Sequence, residues 1–273
     1  MGAARARRIV PLSMGIALAL GAGAVHGAPA KFTGLQRQEG AIVLRQQLRA
    51  LMPPVPKTAV SPAALRPVTS CADDGGVGTL RAVVDAAGEG DTIDLSALTC
   101  STITLEQGAI PLLLNDVALV GPGANALAID AAGNDRVLVH PGYGTLTVTA
   151  LTLRNGAASV GGYHITGGGC IVSAGYLVLD HSVVRDCRAT AEGVYGGGIF
   201  AYTVTMYTST LSGAVALGQN PNTGTAAFGG GAYTAYVNIV DSTISGNRAA
   251  HDLSDGQQSY DIGGGIFTNL GGF

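Results

Sequence analysis

Between residues 146 and 249 one pattern of apolar and polar positions occurs four times. The phrases LTVTALTLRNGAA (146–158), LVLDHSVVRDCRA (177–189), VTMYTSTLSGAVA (204–216) and VNIVDSTISGNRA (237–249) have equal length, and their starts are spaced 31, 27 and 33 residues apart. Their first positions are Leu146, Leu177, Val204 and Val237, and their third are Val148, Leu179, Met206 and Ile239. The eighth positions are Leu153, Val184, Leu211 and Ile244; the sixth holds Ser182, Ser209 and Ser242 after Leu151, and all four phrases end in Ala. Alternation at period two predicts strands with one apolar face. One unit cannot bury that face alone, but parallel copies stacked about 4.8 Å apart turn equivalent positions into continuous aliphatic columns. Chain chirality makes such crossovers right-handed in nearly all cases. The pattern therefore predicts an all-β, right-handed parallel β-helix in which each phrase supplies two short strands and a bend.

Triple-glycine blocks at 167–169, 196–198, 229–231 and 263–265 punctuate the repeats. Close backbone approach and positive φ are cheap only for glycine, so each block is expected where a rung re-enters the coil. The surplus residues 219–227 and 251–261 read as loops projecting from one side. Upstream, TLRAVVDAA (79–87) places Leu80, Val83, Val84 and Ala87 at i, i+3, i+4 and i+7 before Gly88, which predicts a short helix. Strands are expected at 92–95 and 102–105, and the helix ahead of them suits a cap that blocks the open sheet edge. The folded body is thus expected over 68–273. Residues 31–67 form a separate arm, with Leu44, Leu48 and Leu51 at helical spacing and then Pro53, Pro54, Pro56, Pro62 and Pro67 imposing an extended linker.

Composition adds a compartment. Glycine makes up 42 of 273 residues, Trp is absent, and an apolar fraction of 47% excludes a disordered low-complexity chain. The net charge of −3 conceals an asymmetry: +3 over 1–30, +5 over 31–70 and −11 over 71–273. An acidic body repels phosphate backbones, so nucleic acid is not an expected partner. Residues 1–30 read as an export signal, with Arg5, Arg7 and Arg8 before the apolar stretch 9–24 and an A-x-A site at Ala28-Pro29-Ala30, in competition with Ala22-Gly23-Ala24. No other stretch is long and apolar enough for a bilayer of about 30 Å, so the mature chain is expected to lack a transmembrane segment, and its localisation to be extracellular, cell-surface or periplasmic. Four cysteines in an exported chain predict two disulfides. Three connectivities exist. The local one, Cys71 with Cys100 and Cys170 with Cys187, is favoured because seventeen residues carry the chain most of the way around a turn, back to Cys170.

The order GTLRAVVDAA, GDTI, a strand pair, LVGPG, AIDAAGNDRVL, LTVTALTLRNG and repeated GGG blocks resembles exported bacterial β-helix proteins of the pectin-lyase-like superfamily, related to the repeats of polymorphic outer-membrane proteins. The resemblance covers about residues 68–273. Many members carry C-S-L-R-E-A at the capping helix, where this chain has Gly78-Thr79-Leu80-Arg81-Ala82-Val83 and shares only Leu-Arg. It implies secretion or surface display and implies no particular reaction.

Candidate chemistry is sparse. Polysaccharide hydrolases on this architecture use paired carboxylates, and the N-T-D, D-D, G-H-G and R-I-K motifs of the polygalacturonate-cutting members do not occur between 91 and 273. Asp73-Asp74 reads as turn chemistry. The best catalytic constellation is Asp180, His181, Arg185 and Asp186, with Asp241 two rungs from His181, near 10 Å by strand spacing and too far to share a calcium ion with ligands at about 2.3 to 2.6 Å. No metal or cofactor is expected: Asp252, Asp255 and Asp261 lack calcium-loop spacing, no Cys or His pair has zinc spacing, and Gly121-Pro122-Gly123 opens a turn and a strand instead of a dinucleotide fold. Arg154 and Arg185 align on adjacent rungs, followed by Asn155 and Asp186; a solvated rim with Asp186 as counter-charge is expected over a sugar or carboxylate contact. Tyr195, Tyr202, Tyr207, Tyr233 and Tyr236 are candidates for stacking on sugars. The expected function is binding or adhesion to a polysaccharide, cell-surface glycan or other surface without catalysis. The alternatives are a polysaccharide lyase or glycoside hydrolase on the loop-bearing flank, and a structural passenger or stalk of a larger surface protein. The last glycine block opens a rung that no phrase completes, so the sequence reads as part of a longer protein. Oligomeric state is left open.

Overall fold

In the computed structural model, residues 45–46, 63–159, 166–191, 193–219, 226–251 and 260–268 are described. The chain divides into two units, Met1–Thr33 and Gly34–Phe273, and every described residue lies in the second. The expected export signal 1–30, the proline run 53–62, Asp252 and Asp255 fall outside the described residues, and of the stretch that carries Leu44, Leu48 and Leu51 only Arg45 and Gln46 are described, both helical.

The architecture is a parallel β-solenoid of about six turns with almost no helix. Its longest sheet runs in the order Leu65–Pro67, Thr92–Asp94, Val117–Val120, Thr145–Thr149, Ile171–Asp180, Ile199–Tyr207, Ala232–Val240 and Ile266–Thr268. A second sheet stacks Thr102–Thr104, Ala128–Asp130, Thr152–Arg154, Val183–Arg185, Thr210–Ser212 and Thr243–Ser245. Two smaller sheets contribute to the later turns, one of four strands through Ala157–Ala158, Arg188–Ala191, Val215–Gly218 and Arg248–His251, the other of three through Val194–Tyr195, Ala226–Phe228 and Tyr260–Ile262. Leu65–Pro67, just ahead of the expected start of the body, forms the edge strand, where proline's missing N–H is tolerated.

The columns read from the sequence are the observed register. Leu146 pairs with Leu177, Leu177 with Val204 and Val204 with Val237; Val148, Leu179, Met206 and Ile239 follow in the same way, as do Leu153, Val184, Leu211 and Ile244. The columns continue upstream through Ile93, Leu119 and Val148 and through Ile103, Ile129 and Leu153, which the four phrases alone did not reveal. Most members are fully buried, each contributing about 1.5 to 3 kcal/mol of transfer free energy. Ile239, toward the end of the strand Ala232–Val240, is 40% exposed.

The glycine blocks stack at the re-entry points with one slip. Gly168, Gly196, Gly229 and Gly263 take positive φ, and a Cβ on Gly196 would lie 1.9 Å from Ile199 O, so glycine is needed there. Because Ile171 pairs with Ile199, the first block is offset by one residue and Cys170 occupies the place of Gly198. A Cβ at Gly198 would meet Ala214, the residue that follows Cys187 by one turn; the Cys170–Cys187 disulfide crosses the core where a glycine–alanine contact stands on the next turn. The Cys71–Cys100 disulfide ties the segment before the helix to the first rung. The helix, Leu80–Asp85, is shorter than 79–87; Thr79 is its N-cap, and Leu80 and Val84 enter the core.

Asp73 is more than turn chemistry. Asp74 does make the turn, accepting Gly76 N–H at 2.8 Å. The buried Asp73 carboxylate takes two bonds from Arg81, at 3.0 and 2.9 Å, and the Glu106 and Gln107 N–H groups. Arg81 also donates to the Gly108 and Ala109 carbonyls, so the pair pins the capping helix to the first rung. Burial pushes the Asp73 carboxyl up, but the Arg81 bond, the two backbone N–H groups and the Arg81 charge outweigh it, and its pKa ends below the usual carboxylate value.

Candidate binding surface

The longest sheet bends where its register jumps. Ser173 pairs with Ala201, yet the next pair is Tyr176 with Thr203. Gly175 lies in that interval, and a Cβ there would sit 2.1 Å from Gly144 O. The bend is held from inside. His140 and Ser173 are both fully buried, with Nδ1 2.8 Å from Oγ. His140 Nε2 lies 2.9 Å from the Asn115 carbonyl, which can only accept, so Nε2 carries the proton and Nδ1 accepts from the serine hydroxyl. Ser173 Oγ in turn accepts Gly175 N–H at 3.2 Å. Burial pushes the His140 pKa down, against the Asn115 and Leu114 carbonyls and the Asp116 and Glu89 charges. Both side chains are sealed from solvent, and their bonds tie the Asn115 carbonyl to the Gly175 N–H at the bend.

The same network presents Tyr143. Glu89 accepts from the Asn115 and Asp116 N–H groups, Asn115 Oδ1 accepts Tyr143 N–H at 3.2 Å, and Asp116 Oδ1 accepts Thr145 N–H at 2.8 Å. Tyr143 and Tyr176 are 41% and 45% exposed. Tyr176, Tyr202 and Tyr236 then form a ladder along the flank: ring centroids stand 5.9 Å apart for the first pair and 5.7 Å for the second, both edge-to-face. Such spacing is within the favourable range for aromatic pairs. Burial raises the Tyr202 hydroxyl pKa, as do Tyr236 and Tyr176, while Arg45 works the other way. At one end Arg45, Gln46, Tyr143 and Tyr202 line a cleft of about 290 Å³.

The tyrosines singled out from the sequence divide three ways. Tyr202 and Tyr236 are rungs of the ladder. Tyr233 is buried, only 7% exposed, and Tyr195 is half-buried; with Phe200, Phe228 and Phe267 they make an aromatic cluster with rings 5.0 to 6.4 Å apart, against which the half-buried Tyr202 and Tyr236 also pack. Burial pushes the Tyr233 hydroxyl strongly upward. Tyr207 is exposed beyond the ladder, at the end of its strand.

The catalytic candidates resolve into two pairs of sequence neighbours. His181 Nδ1 lies 2.7 Å from Asp180, and Arg185 closely contacts Asp186; all four side chains are substantially exposed. Asp180 closes a strand of the longest sheet and Arg185 belongs to the second. His181 shares its column with Ala150, Thr208 and Asp241, all with φ between 46° and 55°, and Asp186 shares one with Asn155, Gly213 and Gly246, φ 54° to 63°. Left-handed backbone favours Asn, Asp and Gly, which accounts for these residues as turn chemistry. Asp180 is followed on its column by Tyr207 and Val240. Among the described residues no three His, Cys, Asp or Glu gather as a metal site. Arg154 is not a free rim residue: it pairs with Asp130 at 2.8 Å, and Asn155 also donates to that carboxylate. His251 bonds Asp261 at 2.6 Å between adjacent strands.

Tyr143, Tyr176 and Arg45 carry no repeat-wide signature in the sequence. A partial signal exists for Tyr176, which precedes Leu177 as Tyr236 precedes Val237. Compared with known proteins, the chain matches no family model, no curated protein and no solved structure.

Proposed function

We propose that the chain is an exported, secreted or surface-displayed β-helix repeat protein of the pectin-lyase-like kind, which binds a glycan chain along Tyr143, Tyr176, Tyr202 and Tyr236 without transforming it. The observation that carries this reading is the ladder itself. Rings repeated along a rigid parallel stack offer apolar faces and hydroxyl edges to an extended polymer, and tyrosine does so at low conformational cost. Two disulfides are compatible with an oxidising compartment, and among the described residues no helix is long and apolar enough to cross a membrane.

The carboxylates support binding over cleavage. Asp73, Asp91 and Asp130 are each engaged by an arginine and by backbone N–H groups, so their charge serves the scaffold. The test is a glycan array with the full-length chain, alongside reducing-end and unsaturated-product assays on the same polysaccharides. Binding without turnover is expected. Turnover abolished by Asp180→Ala or Arg185→Ala would overturn the reading in favour of a lyase or hydrolase.

A further inference from the structure

The ladder is already engaged by a residue of the chain's own arm. The Arg45 guanidinium carbon lies 4.6 Å from the Tyr143 ring centroid, 4.8 Å from that of Tyr202 and 5.7 Å from that of Tyr176. One guanidinium nitrogen also donates to the Tyr143 carbonyl. The cation therefore occupies the junction of three rings contributed by successive turns, where an incoming sugar would stack. A guanidinium within about 6 Å of a ring centroid is attracted by the ring's quadrupole, and its planar, weakly hydrated group suits an aromatic face better than an ammonium does. Charge acts in the same direction over a longer range: residues 31–70 carry +5 and residues 71–273 carry −11.

The grip is incomplete. Arg45 Nε is buried without a hydrogen-bond partner, and a donor left unsatisfied away from water is costly. Arg45 is thus held by faces and one backbone carbonyl while one of its own N–H groups goes unused. An occupant so held is displaceable by a chain that stacks on the rings and satisfies its own polar groups.

We propose that Arg45 is an internal occupant of the tyrosine ladder, closing it against external chains until one displaces the guanidinium. This regulation rests on the glycan-binding reading; the cover itself does not. Its energetic source also makes it sensitive to salt, because the long-range part of the attraction is screened.

The experiment is hydroxyl-radical footprinting of the full-length chain, read residue by residue by mass spectrometry, for the wild type, Arg45→Ala and Arg45→Lys. In Arg45→Ala, oxidation of Tyr143, Tyr176 and Tyr202 is expected to rise about threefold or more, as losing ring contacts of this kind implies. Arg45→Lys should fall between the two, and Tyr207 and the buried Tyr233 should not change. Unchanged oxidation of Tyr143, Tyr176 and Tyr202 in Arg45→Ala overturns the proposal. Binding of an array-positive oligosaccharide is measured on the same samples. An affinity gain of about tenfold in Arg45→Ala is the expected result, and equal affinities despite a raised footprint would overturn displacement. If the footprint rises while no glycan binds either protein, the cover stands and the glycan reading fails. If glycan binds both and the footprint is flat, the reverse holds.

Discussion

His140 Nδ1 and Ser173 Oγ meet 2.8 Å apart in the sealed interior, and the serine passes that contact on to Gly175 N–H at the bend that presents Tyr176. Protonating His140 places a hydrogen on Nδ1, so the serine hydroxyl loses its acceptor and a charge is buried. The folded-state pKa lies below the ordinary value of 6.5. The unfolded chain therefore binds the proton first, and stability is complete above that value and declines as pH falls below it toward the folded pKa. Urea midpoints should decline over that range in the wild type, and by NMR the His140 ring should titrate below its ordinary value of 6.5. A ring that titrates at its ordinary pKa contradicts the assignment.

Asp73→Asn should cost about 3 kcal/mol, measured by denaturant unfolding at neutral pH, because it leaves Arg81 unpaired beneath the first rung. The Asp73 pKa is depressed below 3.8, so its contribution is present above that value and lost as pH falls through the folded pKa. The variant should accordingly show a shallower loss of stability on acidification than the wild type. Equal acid profiles would remove Asp73 as an anchor.

Serines of the sixth phrase position form an internal ladder. Ser182 N–H donates to Ser209 Oγ and Ser209 N–H to Ser242 Oγ, both at 3.0 Å, while the Ser209 and Ser242 hydroxyls donate to the carbonyls two residues earlier. Ser209→Ala strands the buried Ser182 N–H and should cost about 1 to 3 kcal/mol. Ser242→Ala, on the more exposed turn, should cost less. Urea titration of the two variants gives the order, and the reverse order would contradict the ladder.

Position along an aliphatic column should set the cost of truncation. Leu179 is fully buried, while Ile239 on the same column is 40% exposed. Leu179→Ala should lose about 3 kcal/mol, and Ile239→Ala about 1 kcal/mol or less when both are unfolded in guanidinium chloride. Equal losses would mean that Ile239 is packed as tightly as Leu179.

What was legible in the sequence is what local periodicity encodes. Leu146, Leu177, Val204 and Val237 could be aligned because phrases of equal length repeat, and stacking follows from the apolar face they share. The one-residue slip at Cys170 was not legible, since a triple glycine looks the same in either register. Nor was the anchoring by Asp73, whose backbone donors at Glu106 and Gln107 are 33 and 34 residues away. The ladder was half visible. Tyr176 and Tyr236 hold equivalent places, but Thr203 stands between them, and Tyr202 fills the gap only because the bend takes a different number of residues on adjacent strands. Arg45 lies in a segment with no repeat to align it, and its contact with Tyr143 spans 98 residues.

The central claim is that the tyrosine ladder is the binding surface. Calorimetric titration of an array-positive oligosaccharide into the full-length chain, Tyr176→Ala, Tyr202→Ala and the off-ladder control Tyr207→Ala tests it directly. The account predicts that each ladder variant loses about fivefold or more in affinity, equivalent to about 1 kcal/mol of ring contact, with Tyr207→Ala unchanged. Undiminished binding by both ladder variants, or a loss confined to Tyr207→Ala, would contradict it.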